Sequence, residues 1–235
     1  MKLKQLILGS AAIVAGAWAL TSCGGGNTTD TSSDAEKEGL FGKIPSLYEE
    51  PERKMMKEMK GLDEKEVMKA LEEIMPKMED EYKKMMEKAQ GLADKMTGRK
   101  VAYSMADSLP YRIVSDIIVE SVNLGGGKDL KLNLTFDAVL TQDLDKPLII
   151  YSFVQSDDQP ICLSSTSKLN KQTAGDTLHV KHALHAPQIP AKYAERCNNL
   201  RFISEQTFQA QRSTIQEQLR EWYNEGEREK KALME

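Results

Sequence analysis

The sequence predicts an α+β protein, with a helical hairpin or stalk in residues 49–98, an antiparallel β-sandwich in residues 99–210 and a C-terminal helix in residues 211–235. Three observations support this prediction. Apolar residues recur at helical spacing through the first region, among many charged residues. The middle region carries short runs of β-branched and aromatic residues between turn-forming residues. Helical spacing then returns at the end of the chain.

Residues 1–22 have the layout of a secretory signal peptide. Lys2 and Lys4 give a basic start, and an apolar stretch follows from Leu6 to Leu20. That stretch is shorter than the roughly 20 residues that a membrane-spanning helix needs. The sequence therefore predicts export from the cytoplasm.

The apolar stretch ends in Leu20-Thr21-Ser22-Cys23. This ending resembles the lipobox of bacterial lipoproteins, in which a hydrophobic residue and two small residues precede a modified cysteine. The resemblance implies cleavage before Cys23, a diacylglyceryl group on its thiol and an acyl chain such as palmitate on its new amine. The lipid bilayer is thus the first expected partner, because several acyl chains greatly exceed the marginal hold of one.

Residues 23–48 are predicted to form a flexible tether that begins with the lipidated cysteine. Three glycines, Gly24 to Gly26, lead into a run of Asn, Thr, Ser and Asp. Such a run cannot bury enough apolar surface to offset the entropy of ordering. In enteric bacteria, an Asp directly after the lipidated cysteine retains a lipoprotein in the inner membrane. Gly24 occupies that position here, so the outer membrane is the favoured location. The sequence leaves open whether the protein faces the periplasm or the cell surface.

Two helices are predicted in residues 49–98. A short helix covers Glu52–Lys60, and a longer one begins at Asp63, which can form a capping box with Glu66. Pro76 predicts a kink in the longer helix, or a junction between two helices. Apolar residues of this helix form a heptad seam at Leu71, Met75, Met78, Tyr82, Met85, Ala89, Leu92 and Met96.

This methionine-rich seam has three interpretations. Unbranched methionines fill the interface between packed helices, and a buried core seam is the favoured interpretation. An adaptable face for a protein partner is the second, since methionine fits varied apolar surfaces. A copper(I) site built from thioethers is the third.

Residues 99–210 show strand patterns. From Leu130 to Phe136 apolar and polar residues alternate, which indicates a strand with one face in contact with water. Further predicted strands include Pro160–Ser164, Thr177–Ala183 and Asn199–Phe208. Turn-forming residues separate the strands at 125–127, 142–145 and 156–158. Six or seven short strands with no helix between them predict a sandwich of immunoglobulin-like type, with its topology open.

In residues 211–235 the apolar residues again recur at helical spacing. Ser213 and Gln216 have the spacing of a capping box, and Ile215, Leu219 and Trp222 form an apolar stripe. This stripe is the predicted partner of the methionine-rich seam. A copy of the seam in a second molecule is the alternative partner.

The whole arrangement resembles uncharacterised lipoproteins of Bacteroides–Prevotella type bacteria. The features that carry this resemblance are the lipobox, the polar tether, the charged helical segment and the stretch "GRKVAYSMADSLPYRIVSD" that precedes the strands. The resemblance implies a cellular location and a fold. It implies no activity and no catalytic residue.

Charge and motifs exclude several classes of function. The chain has 32 basic and 36 acidic residues, which are interspersed and give a net charge of −4. No basic stripe is available to neutralise a phosphate backbone, so nucleic acid is not an expected partner. The sequence also contains neither a G-x-S-x-G nor an H-E-x-x-H motif. We expect no catalytic residue and no cofactor.

The histidines and the remaining cysteines are the candidate site residues. His179, His182 and His185 are weak candidates for a metal site, because strand geometry places His179 and His182 on opposite faces. Cys162 and Cys197 form a possible disulfide in an oxidising compartment, and two separate buried thiols are equally compatible with the sequence. Aspartates in the turns are weak calcium candidates, at Asp143, Asp145, Asp157 and Asp158.

These features predict a non-enzymatic, lipid-anchored protein of the cell envelope that serves binding or assembly. Its expected partners are the bilayer, through Cys23, and another protein or a second copy, through the helices. A small-ligand or metal carrier is the alternative. An envelope hydrolase is the least favoured interpretation.

Overall fold

The computed structural model describes residues 39–106, 108–125, 130–156, 159–170, 173–186 and 190–234. The predicted signal peptide, Cys23 and residues 24–38 lie outside the described residues. The helices are α1 (Ile44–Glu58), α2 (Glu64–Met96), α3 (Ala191–Ala194) and α4 (Glu205–Met234). The strands are β1 (Tyr103–Met105), β2 (Tyr111–Ile113), β3 (Ile118–Leu124), β4 (Leu130–Leu140), β5 (Tyr151–Ser156), β6 (Gln159–Ser165), β7 (Thr177–Ala186) and β8 (Asn199–Ile203). The predicted α+β class is confirmed.

The folded body begins earlier than the predicted end of the tether at residue 48. Leu40, Phe41 and Ile44 are buried in the main core, and α1 starts at Ile44 instead of Glu52. A proline in the first turn hides this start in the sequence, although proline is well tolerated there because its missing N–H would have no partner. Only the part of the predicted tether that precedes Gly39 can therefore act as a spacer.

Gly39 is held against the loop that follows α3. A Cβ atom at this position would lie 2.1 Å from the main-chain oxygen of Glu195, so only glycine fits. The guanidinium of Arg99 donates to the carbonyl oxygens of Gly39 and Leu40, at 3.3 and 3.1 Å. These contacts fix the point at which the chain enters the body.

Helix α2 begins as predicted and continues through Pro76. Asp63 Oδ1 accepts from the backbone N–H groups of Lys65 and Glu66, and the Glu66 carboxylate accepts from the N–H of Asp63, which completes the capping box. One helix spans Pro76, so the chain does not form two helices there. Packing of both halves of α2 offsets the local cost of a proline in a helix interior.

The methionine-rich seam packs on α1, not on α4 as predicted. In the N-terminal half of α2, Val67, Ile74 and Met78 form a buried cluster with Met55 of α1 and with Met59, which directly follows α1. The C-terminal half joins the main core that it shares with the sheets, through Met85, Ala89, Ala93 and Met96. The predicted partner is wrong because the predicted first helix starts at Glu52 and lacks the first eight residues of α1, five of which fall in the predicted tether.

Two sheets make up the strand region. The first sheet has the order β1-β8-β5-β6, and in the second sheet β4 pairs with β2 and β3 along one edge and with β7 along the other. Each described pairing is antiparallel except that of β1 with β8, which is parallel and departs from the predicted antiparallel arrangement. The sheets pack face to face: the rings of Phe136 and Phe202 meet edge-on at 5.4 Å.

Strand β4 shows why the sequence forms this sandwich. Every second residue from Leu130 to Leu140 is buried, and the residues between them are half-buried on the outer face. The buried set faces the first sheet and builds the core, as the alternation predicts.

The boundary between strand β8 and helix α4 lies earlier in the chain than predicted. The strand was expected to reach Phe208, but it ends at Ile203, and α4 starts at Glu205 instead of residue 211. Ser204 accounts for the difference, since its Oγ accepts from the N–H of Thr207 at 3.1 Å and caps the helix. Phe208 lies on α4, where its ring packs on Tyr151 at 4.6 Å.

Candidate functional site between the first and last helices

A cavity of about 90 Å³ lies between α1 and α4. We call it the α1–α4 pocket. Leu130 of β4 and Ala186 of β7 give it apolar walls, and Pro190 and Ala194 border it from the side of α3. The lining side chains that can bind a ligand are Tyr48, Glu49 and Glu52 of α1 together with Trp222, Tyr223, Glu227 and Lys230 of α4.

Helical spacing places these side chains on the pocket. Tyr48 and Glu52 are four residues apart, so they lie one turn from each other on the same face of α1. Trp222 and Lys230 are two such steps apart on α4, with the small residue Gly226 between them. Each helix therefore places one aromatic and one charged side chain on the pocket.

Tyr48 lines the pocket with a buried hydroxyl group. Its side chain is 7% exposed, and Oη has no hydrogen-bond partner among the described residues. Burial raises the pKa of Tyr48 to about 12, so the phenol stays protonated at neutral pH. The hydroxyl oxygen has less than 1 Å² of accessible surface, so it lies behind the pocket wall and does not face the cavity.

Glu52 and Lys230 form a buried ion pair beside Tyr48. Lys230 Nζ lies 2.9 Å from Glu52 and 3.1 Å from Glu227. Glu52 is 7% exposed, and the charge of Lys230 offsets the cost of burying its carboxylate. The pair joins α1 to α4 at the pocket wall.

Glu49 joins α1 to the start of α3 and also pairs with Arg53 of its own helix. One of its carboxylate oxygens accepts from the backbone N–H of Ala191 at 2.6 Å. The other accepts from Arg53 at 2.8 Å. Glu49 therefore holds the start of α3 next to the pocket.

Trp222 is held in place by stacking. Its ring lies parallel to that of Tyr193, with centroids 4.5 Å apart and an interplanar angle of 15°. The Tyr193 hydroxyl donates to Glu225 at 2.7 Å, and Lys192 lies 5.1 Å from the Tyr193 ring centroid. The indole is therefore pre-organised as a fixed wall of the pocket.

The three histidines of β7 lie on two faces of the second sheet. His179 and His185 are exposed on the outer face, where His179 Nδ1 lies 2.6 Å from the Asp137 carboxylate. His182 is buried between the sheets. The structure does not bring the three imidazoles together, and among the described residues no group of three metal-ligating side chains converges.

His182 and Ser152 form a hydrogen-bonded pair in the core. His182 Nε2 lies 2.6 Å from Ser152 Oγ, and Nδ1 has no partner within the described part of the chain. Burial lowers the pKa of His182 to about 4. This pair has the composition of a nucleophile with its base, but both side chains are sealed from solvent, so a substrate cannot reach them.

Cys162 and Cys197 are both buried free thiols in the structure. Cys162 donates to the carbonyl oxygen of His185 at 2.7 Å, and Cys197 donates to that of Tyr193 at 3.4 Å. Burial raises the pKa of Cys162 to about 12 and also raises the pKa of the Cys197 thiol. Both thiols are therefore poor nucleophiles at neutral pH. Their pairing as a disulfide stays a prediction.

The remaining candidates are turn residues. Asp143 accepts from the backbone N–H of Ala174 at 2.7 Å and so ties two turns together. Asp157 and Asp158 lie outside the described residues.

The pocket was missed at the level of sequence. The sequence predicts Tyr48 as the end of the tether, and no local pattern links it to Trp222 on the last helix. The four-residue spacing within each helix predicts that these side chains share one helix face. It does not predict which other element that face packs against.

Comparison with protein-family models, with curated proteins and with solved structures finds no match to this chain. The features of this chain that bear on its function are therefore the α1–α4 pocket, the buried side chains and the sequence of the N-terminal segment. In the described part of the chain, no helix is both long enough and apolar enough to cross a membrane.

Proposed function

We propose that this chain is a non-enzymatic, lipid-anchored protein of the cell envelope that binds a small ligand in the α1–α4 pocket. The observation that carries the binding role is the convergence of Tyr48, Glu52, Trp222 and Lys230 on one cavity. Concave sites with aromatic walls and a few placed polar groups are the usual form of small-molecule sites.

The anchor is proposed from the sequence. The lipobox-like ending places acylated Cys23 a short distance before Gly39, where the body begins. The composition of residues 24–38 predicts a flexible chain, and about 15 such residues have an r.m.s. span of roughly 20 Å. The body would then stay within a few nanometres of the membrane. The outer membrane remains the favoured location.

The chemistry of the buried nucleophiles supports binding over hydrolysis. Ser152 and the thiols of Cys162 and Cys197 are all buried, and the pKa values of both thiols are raised. A hydrolase needs a nucleophile that its substrate can reach. The exposed pair of His179 and Asp137 is not part of the α1–α4 pocket lining.

We also propose that the strand region is an immunoglobulin-like sandwich. Two four-stranded sheets that pack face to face support this assignment, as do short strands with mostly antiparallel pairing. An experimental structure superposed on immunoglobulin domains tests it. A strand order that no such domain shares would contradict it.

The anchor is tested with Cys23→Ala. We expect the variant to lose metabolic palmitate label and to partition into the aqueous phase of a detergent extraction, because the acylated thiol is gone. Ser22→Ala, which keeps a small residue before the cysteine, is the matched control and should remain labelled. Retention of label in Cys23→Ala would contradict the proposed anchor.

The binding role is tested by tryptophan fluorescence. Trp18 lies in the predicted signal peptide, so Trp222 is the single tryptophan of a chain cleaved before Cys23, and Trp18→Phe gives the same single reporter in an uncleaved chain. We expect a saturable change in its emission with at least one of three probes: butylammonium, butanol or butyrate. Together these probes cover cationic, neutral and anionic ligands of similar size.

A pocket-filling variant makes this test specific. Gly226→Leu should abolish the response, because the added side chain occupies the lining of the pocket. Gly91→Leu is the matched control, since a Cβ at this exposed helical glycine meets nothing within 4 Å. No response to any of the three probes, or an equal response in Gly226→Leu, would overturn the proposed binding role.

A further inference from the structure

We infer that the α1–α4 pocket binds the uncharged end of a straight alkyl chain. This inference rests on the proposed binding role and goes beyond it by naming the class of ligand. Three features of the pocket carry it: the charged side chains of the lining are already paired, the other walls are apolar, and the cavity is small.

Each charged side chain in the described lining already has a partner. Lys230 lies between two carboxylates, 2.9 Å from Glu52 and 3.1 Å from Glu227. Glu49 accepts from Arg53 and from the first backbone N–H group of α3. A charged ligand would have to compete with these partners, and it would also lose its own hydration on entry. An uncharged ligand avoids both costs.

The other walls of the pocket are mostly apolar. The ends of β4 and β7 contribute Leu130 and Ala186, and Pro190 lies beside the start of α3. The Trp222 ring forms a further wall, which stacking on Tyr193 fixes before any ligand arrives. Transfer of an alkyl group from water to such walls is favourable in proportion to the apolar area that leaves the solvent.

The size of the pocket favours a straight chain over a ring. Its volume of about 90 Å³ is below the roughly 150 Å³ of an engineered cavity that holds one benzene molecule. A six-membered ring therefore does not fit inside, whereas the last few carbons of a straight chain do. Tyr223 lies at the edge of the pocket with half of its surface in solvent, so the rest of a longer ligand would leave past it.

The experiment measures probe affinity through Trp222 fluorescence in the same single-tryptophan chain. From ethanol to butanol, we expect the affinity of straight alcohols to rise about fourfold with each added CH₂ group. It should then level off for longer alcohols that reach past Tyr223. Butanol should bind at least about tenfold more tightly than butylammonium or butyrate, because only the charged probes lose strong hydration. Cyclohexanol should bind more weakly than butanol despite its larger apolar surface.

A pair of glycine variants tests where the alkyl group lies. A Cβ at Gly226 would lie 3.6 Å from Pro190, an ordinary contact distance, so Gly226→Ala adds one methyl group to the lining without a clash. It should weaken butanol about fourfold, the equivalent of one CH₂ group. Gly91→Ala is the matched control, since a Cβ at this exposed helical glycine meets nothing within 4 Å, and it should leave the affinity unchanged.

Two further probes distinguish the sources of an alkyl chain. Hexanol represents a free small molecule, and dihexanoylphosphatidylcholine, used below the concentration at which it forms micelles, represents the acyl chain of a membrane lipid of the same length. The tighter of the two identifies the source, and either result supports the alkyl assignment.

Each failure has its own meaning. If butylammonium or butyrate binds as tightly as butanol, the assignment of an uncharged ligand is overturned while the binding role stands. An affinity that does not rise with chain length, or cyclohexanol that binds as tightly as butanol, would overturn the choice of a straight chain. An unchanged butanol affinity in Gly226→Ala would place the alkyl group outside the pocket and overturn the inference. Absence of binding by every probe would overturn the binding role as well.

Discussion

Three buried polar atoms have no hydrogen-bond partner among the described residues: Tyr48 Oη, Tyr111 Oη and His182 Nδ1. Tyr48 lines the α1–α4 pocket, although its hydroxyl oxygen is buried behind the pocket wall. Tyr111 and His182 lie in the main core or beside it. For a titratable group such as His182, burial also makes stability depend on pH.

His182 is expected to weaken the fold in acid. Its pKa is about 4 in the folded protein, against 6.5 for an ordinary histidine, because burial disfavours the charged imidazole. Below about pH 6.5 the unfolded chain binds a proton at this site that the folded protein does not bind until about pH 4. The stability that neutral His182 provides is thus complete above pH 6.5 and is lost as pH falls toward 4, by about 3 kcal/mol in all.

Urea unfolding at several pH values checks this expectation. His182→Gln should flatten the decline in stability between about pH 7 and about pH 4, because the substituted side chain does not titrate. His179→Gln is the control, and it should keep the decline since His179 is exposed on the outer face. If His182→Gln and the unsubstituted protein lose stability equally over this range, His182 is not buried in its neutral form.

At the scale of elements, local patterns predicted the faces of helices and strands but not their partners. The alternation of β4 correctly predicted its buried face, and the capping box correctly predicted the start of α2. The seam of α2 was right at Met78 and Met85 but wrong at Met75, which is 42% exposed while Ile74 is buried. The helical period of 3.6 residues drifts from a heptad, so the buried stripe moves around a long helix.

The start of α1 shows why the partner of α2 could not be predicted. Glycines and prolines around residues 39–51 are typical of a linker, and no local rule predicts that Leu40 and Phe41 are buried. The pocket depends on the same segment, because Tyr48 and Glu52 lie on α1. Because the predicted helix starts eight residues after Ile44, the sequence predicts neither the packing of α2 on α1 nor the wall that α1 contributes to the pocket.

The packing of α2 on α1 is tested by a matched pair of substitutions. Met78 is 6% exposed and belongs to the cluster with Met55 and Met59, whereas Met75 lies one turn away and is exposed. Met78→Glu should destabilise the fold by ~3 kcal/mol or more, because it buries a charge without a partner. Met75→Glu should change stability by no more than ~0.5 kcal/mol. Urea denaturation followed by circular dichroism measures both.

The opposite result would support the interpretation of the methionines as an adaptable face for a protein partner. A Met78→Glu protein as stable as Met75→Glu, with unchanged resistance to protease, would mean that this stripe is an exposed face for a partner. The cluster on α1 would then not be core.

At the scale of the whole molecule, a single core crosses the predicted boundaries at residues 49, 99 and 211. The main cluster includes Phe41 near the start of the described chain, residues of both sheets and Trp222 of the last helix. The α1–α4 pocket depends on this continuity, because its walls come from two helices and from the ends of β4 and β7. A helical module and a strand module that folded separately could not form it.

A shared core predicts that the helices and the sheets unfold together. In the Trp18→Phe chain, Trp222 fluorescence reports on the helices and on the pocket, and far-ultraviolet circular dichroism reports on all secondary structure. The two urea transitions should have the same midpoint, as expected for one cooperative unit.

Leu132→Ala makes this prediction sharper. Leu132 is fully buried on β4, and a leucine-to-alanine change in a core costs about 2–5 kcal/mol. Although Leu132 is on a strand, the substitution should lower the midpoint of the Trp222 transition as much as that of the circular dichroism transition. Lys131→Ala, on the outer face of the same strand, is the control and should leave both midpoints nearly unchanged. A Trp222 midpoint that does not respond to Leu132→Ala would mean that the helices and the sheets are separate domains, and the pocket between them would then lack the fixed walls on which its binding role depends.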